Sequence, residues 1–113
     1  MVVPTWPMTV SSLTAIVIMV KANTSPAEVT TDAIDCFIFS HVLPAVVERS
    51  TKSLGLPADK VIAAGAMHGH LTAAALPVAL SEARTAGRVA AGARVCLAAC
   101  GAGYAWGAAV LTV

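Results

Sequence analysis

Residues 34–55, IDCFIFSHVLPAVVERSTKSLG, constrain the fold more than any other stretch. IDCFIF reads as a near-continuous apolar and aromatic run, which suits a strand buried on both faces and not one half-facing water. The run stops at Ser40-His41. Beyond it, Pro44 stands where a helix begins, Val46, Val47 and Leu54 share roughly one face, Lys52 sits in the last turn, and Gly55 falls where a helix terminates. A strand covered on both faces followed by a helix with both ends marked is the unit of a layered α/β domain.

The rest of the chain repeats that alternation. KVIAA (60–64) predicts a short strand, and the Met67–His70 loop follows it. Thr72–Ala86 predicts a helix, with Pro77 either in an early turn or bending it and Gly87 as its stop. Its small face, Ala73, Ala74, Ala75 and Ala79, predicts close approach of another helix. ARVCLAA (93–99) predicts a buried strand, CGAG a glycine turn, and YAWGAAVLTV a last strand paired antiparallel to it. The order strand, helix, strand, helix, strand, strand predicts an α/β fold with a mostly parallel mixed sheet and flanking helices. Residues 1–32 are a separate, poorly readable segment and linker, and residues 33–113 form the domain.

Composition narrows the functions open to such a domain. Hydrophobic residues make up 58% and charged residues 12% of 113 residues, so the chain carries more apolar surface than its own length easily buries, and a partner is expected. A formal net charge of +1 with scattered Lys and Arg supplies no basic stripe, which disfavours nucleic acid. The apolar stretch Met8–Val20 covers 13 residues against the about 20 that span a bilayer, and no basic region precedes it. No membrane span is expected, and the location expected is cytoplasmic. Cys36, Cys96 and Cys100 form an odd set without C-x-x-C spacing, as buried thiols would, and neither a disulfide framework nor a metal site is indicated. Gly101, Gly103 and Gly107 have the wrong spacing for a dinucleotide fingerprint, so no cofactor is expected.

AMHGHLTAAALPVAL (66–80) holds the residues best suited to chemistry. His68 and His70 flank one glycine just before a helix start, where imidazole can titrate near neutrality. Read alone, the pair fits either working residues or polar edging on a core helix.

Taken together and in order, IDCFIFSH, LGLPADKV, HGHLTAAALPVALSEA, AGRVAAGARV and GAGYAWGAAVL resemble the C-terminal half of beta-ketoacyl-ACP synthase III and its thiolase-like relatives. The resemblance implies a thiolase-like C-terminal half in which His41 occupies the place of a histidine ending a strand, commonly in an H-Q-A-N context. His70 occupies the place of the asparagine in Y-G-N-T-S. It further implies that both are catalytic: His41 activates a cysteine nucleophile or stabilises charge, and His70 donates a hydrogen bond to a thioester oxygen. The nucleophile belongs to the other half of such enzymes, so the implied partners are a cysteine-bearing N-terminal half or chain, acyl-CoA and acyl carrier protein. His41-Val42-Leu43-Pro44 departs from H-Q-A-N, and His70 departs from asparagine. Acyl transfer to a hydroxyl or amine therefore stands beside decarboxylative condensation, and a noncatalytic relic or structural half-domain stands as the alternative to both.

Overall fold

The computed structural model describes residues 30–40, 44–101 and 105–113. Four strands, β1 (Cys36–Ser40), β2 (Val61–Ala64), β3 (Arg94–Gly101) and β4 (Ala105–Thr112), form one sheet in the order β2-β1-β3-β4. β1 pairs in parallel with both β2 and β3, and β4 is antiparallel to β3. Helix α1 (Pro44–Leu54) joins β1 to β2, and α2 (Ala75–Thr85) joins β2 to β3. The alternation expected from the sequence, including the antiparallel last strand, is the one observed. Of the expected turn CGAG (100–103), Cys100 and Gly101 instead extend β3, paired with Trp106 and Ala105, because the antiparallel ladder continues to the strand end; residues 102–103, Tyr104 of the expected last strand and the segment 1–29 lie outside the described residues.

Why β1 is central follows from its side chains. All five of its residues are buried, and alternation sends Phe37 and Phe39 to one face and Cys36 and Ile38 to the other. On the first face the two rings, 6.3 Å apart and tilted, pack with Ile34, Val47 of α1, Leu56 and Cys96. On the second, Ile38 packs with Val95, Val89 and the alanines of α2. Each of the fully buried Phe37, Phe39, Ile34 and Ile38 contributes about 1.5–3 kcal/mol by leaving water, before chain entropy is set against it.

Both helices stop as their glycines require. Gly55 (φ +65°) donates to Lys52 O at 3.1 Å while Leu56 donates to Thr51 O at 3.0 Å, the paired bonds of a Schellman motif. Gly87 (φ +72°) repeats it, with Gly87 donating to Arg84 O and Arg88 to Ala83 O. Within α1, Ser50 and Thr51 are buried, and each satisfies its hydroxyl on the carbonyl four residues back, at 2.8 Å.

Two further details differ from the sequence expectation. The second helix begins as a 3-10 turn, Thr72–Ala74, and becomes α-helical only at Ala75, which places Pro77 in the first α-turn where its missing N–H has no partner to lose. The small face also meets something other than a helix. Ala75, Ala79 and Ala83, one turn apart, are buried against the sheet, whereas Ala73 and Ala74 are exposed. Methyl side chains let the helix axis settle close onto Ile38 and Val95.

Candidate active site

The chain leaves β1 for β2 on one side and then crosses over α2 to β3 on the other side of β1. The connection therefore reverses direction between β1 and β3, and open α/β sheets hold ligands in the crevice beyond the carboxyl ends of strands that flank such a reversal. A cavity of about 480 Å³ lies there. Ser40 at the end of β1, Cys100 and Gly101 at the end of β3, and His70 and Thr72 from the loop after β2 line it. Backbone pairing of Ser40 with Ala99 sets the floor between the two strands.

His70 arrives by a sharply turned path. Gly65 (φ +102°) and Gly69 (φ +73°) take left-handed conformations, and the Gly69 N–H donates to Gly65 O at 2.9 Å. Glycine between the two histidines lets them part company. His70 is exposed and lines the strand-end cavity, whereas His68 turns to α2, where Nε2 meets Glu82 Oε1 at 2.5 Å. His68 and His70 thus serve different places, and among the described residues no group of three or more His, Cys, Asp or Glu is arranged to hold a metal ion.

Thr72 is the unforeseen member of the site. Its φ of +52° is a left-handed conformation that a β-branched residue rarely adopts, and such strain concentrates where a fold holds a working geometry. Its Oγ1 donates to Leu71 O at 2.7 Å. Ser40 and Cys100 were also outside the sequence expectation. Their only sequence signal is position at the carboxyl ends of β1 and β3. Burial raises the Cys100 thiol above its ordinary pKa, so this cysteine is not an activated thiolate. Cys36, raised by burial against an opposing effect of Arg88, and Cys96, pushed up to about 11 by burial, lie in the sheet interior.

His41 follows Ser40 directly and lies outside the described residues. The cavity as described offers one imidazole, two hydroxyls and a protonated thiol. It can donate and accept hydrogen bonds and exchange a proton.

Comparison with known proteins turns this geometry into a lineage. The family described as 3-oxoacyl-[acyl-carrier-protein (ACP)] synthase III C terminal matches residues 25–113. This chain belongs to that family. Among its relatives, the beta-ketoacyl-[acyl-carrier-protein] synthase III of Sinorhizobium medicae is 36% identical over 93 residues, which are 82% of this chain and 29% of that protein. The structure of 3-oxoacyl-[acyl-carrier-protein] synthase III from Aquifex aeolicus superposes with a TM-score of 0.83 at 25% identity, over 89% of this chain and 33% of that one. That of the Thermus thermophilus synthase III gives 0.72 at 33% identity, over 88% and 30%. The mixed α/β sheet is therefore the thiolase-like C-terminal fold of synthase III, and the chain spans less than a third of the length of the curated relative it matches. Among the described residues no helix is long and apolar enough to cross a membrane.

Proposed function

We propose that this chain supplies the C-terminal part of a synthase III-type acyltransferase site, with His41 and His70 as its working residues and with the cysteine nucleophile on a segment outside these 113 residues. The observation that carries the reading is the strand-end cavity, where the His70 loop meets the end of β1 from which the chain continues to His41. The cysteine thiolate takes the acyl group from a thioester, expelling the carrier thiol, and His41 assists by accepting the thiol proton or stabilising charge. In the condensing version a malonyl thioester loses carbon dioxide. The His70 N–H donates to the enolate oxygen, and the enolate carbon attacks the acyl carbonyl and displaces the cysteine. In the transfer version a hydroxyl or amine attacks instead, and His70 takes its proton. Acyl-CoA and acyl carrier protein are the proposed carriers, and the cytoplasm the proposed location.

The test reconstitutes the chain with a cysteine-bearing N-terminal half of a relative and measures release of carrier thiol from acyl-CoA with malonyl-ACP. If His70 is a donor, His70→Asn keeps most of the rate and His70→Ala loses about a hundredfold. If it is a base, both lose alike and the acid limb of the pH profile vanishes. The departures at His70 and at Val42-Leu43-Pro44 favour a second reading, a noncatalytic half-domain. It predicts a rate indifferent to His41 and His70 alike.

A further inference from the structure

The loop that carries His70 is poorly held by burial. Met67 at its crest is 84% exposed, and Ala66 through His70 are all solvent-facing. Two backbone bonds close it on itself, from Ala66 N–H to Ala63 O at 3.3 Å and from Gly69 N–H to Gly65 O at 2.9 Å. The first anchors the start of the loop to β2, and the second stays within the loop. Among the described residues, one side-chain bond holds the crest of the loop to α2. His68 Nε2–H donates to Glu82 Oε1 at 2.5 Å across 14 residues, and Glu82 sits on α2 one residue before Ala83, which is seated on the sheet. A second cavity, of about 280 Å³, is lined by Ala66, Met67 and His68 of the loop and by Ala79, Glu82 and Ala83 of α2, so loop and helix are its two walls.

We infer that His68 and Glu82 form a positioning pair that fixes the His70 loop over the strand-end cavity. The inference rests, for its catalytic consequence, on the reading of His70 given above. Side chains 46% and 52% exposed make a pair that adds little to global stability, because water screens it. Local opening is a different quantity. Where two glycines leave the backbone free to swing, one charge-assisted hydrogen bond decides how often the loop departs from its observed path. His68 is separated from His70 by Gly69 alone, so holding the first imidazole limits how far the backbone that carries the second can travel.

The experiment measures amide exchange at Gly69, whose N–H is bonded inside the loop, by NMR in the full chain. His68→Ala and Glu82→Ala are each expected to speed exchange there by about tenfold while the amides of β1 and of α2 near Ala79 are unchanged. His68→Gln, whose side-chain N–H can reach the carboxylate, and Glu82→Gln, which keeps an acceptor, are expected to restore most of the protection. A purely space-filling role for His68 would not give that rescue. In the reconstituted enzyme, His68→Ala is expected to lower kcat with KM little changed, and to add nothing in the presence of His70→Ala. Unchanged Gly69 exchange in both alanine variants, or glutamine variants as loose as the alanine ones, overturns the positioning pair. Faster exchange together with a rate indifferent to His70→Ala leaves the pair standing and removes the catalytic reading of His70.

Discussion

The two ends of the sheet are built to different standards. At the amino end, β1 and β3 are clamped before they start: Asp35 N–H donates to Arg94 O at 2.9 Å and its Oδ2 accepts from Arg94 N–H at 2.8 Å. Lys60 Nζ donates to Ile34 O at 3.0 Å, Arg88 reaches Asp59 O at 3.1 Å, and Val113 exchanges backbone bonds with Gly92 and Ala93. At the carboxyl end the chain takes three left-handed conformations within eight residues, at Gly65, Gly69 and Thr72, and one side-chain bond ties the loop to α2. One end is held by redundant bonds and the other keeps a cavity open. Stability is concentrated away from the site, which leaves the site free to carry strained and solvent-facing residues.

The thiols offer the largest test of that contrast, since they sample β3 from its interior to its open end. Cys96 is 2% exposed and its pKa stands at about 11 against an ordinary 9.0, whereas Cys100 lines the cavity. The folded state holds the Cys96 proton more tightly than the unfolded chain. Its contribution is therefore complete below about pH 9 and is lost as pH rises through about 11. Two pH units correspond to roughly 3 kcal/mol. Urea unfolding from pH 8 to 11 is expected to lose roughly 2 kcal/mol more stability in the wild type than in Cys96→Ala, the remainder being lost above pH 11. Equal slopes in the two proteins would show that Cys96 does not titrate with unfolding.

A middle-sized effect is expected from the clamp. Asp35→Ala removes the acceptor for Arg94 N–H at an exposed position, so the cost is about 1 kcal/mol, at the low end for a bond to a charged group. Asp35→Asn, which keeps an oxygen in place, is expected to recover about half, read as the shift of the urea midpoint at constant m. If Asp35→Ala is silent while changes in the His70 loop cost more, the contrast between the ends is reversed.

Legibility in the sequence divides along the same line. The strand–helix alternation, the start of α1 at Pro44 and the stops at Gly55 and Gly87 were readable because each depends on local chemistry: a doubly buried run, a proline without an N–H, a glycine at positive φ. Sheet order was readable only as far as mostly parallel with one antiparallel strand. The sheet contact of Ala75, Ala79 and Ala83 was not readable, because composition says how close a neighbour can come and not which neighbour it is. His70 was singled out by resemblance to the family, and its place in the lining of the strand-end cavity was not readable from spacing. That Ser40, Thr72 and Cys100 converge with it was not, since they come from three segments that meet only once β1 and β3 are paired. The partner of His68 lies 14 residues away on another element, beyond the reach of any spacing rule.

Thr72 gives the smallest effect and the finest probe of the open end. A β-branched residue at φ +52° costs on the order of 1–3 kcal/mol, part of which the bond from Oγ1 to Leu71 O offsets. Asparagine tolerates the left-handed region far better and brings its own short polar side chain. Glycine would relieve the strain too, but it frees the unfolded chain and so returns part of the gain. Thr72→Asn is therefore expected to stabilise the fold by about 0.5 kcal/mol, Thr72→Gly to be close to neutral, and Thr72→Val, which keeps the branch and loses the hydroxyl, to destabilise by about 1 kcal/mol. Thermal midpoints of the three variants check the order. A destabilised Thr72→Asn would mean that the hydroxyl bond outweighs the backbone cost, and that the carboxyl end is held more firmly than its conformations imply. The expected order instead places unrelieved strain in the wall of the cavity, two residues from His70.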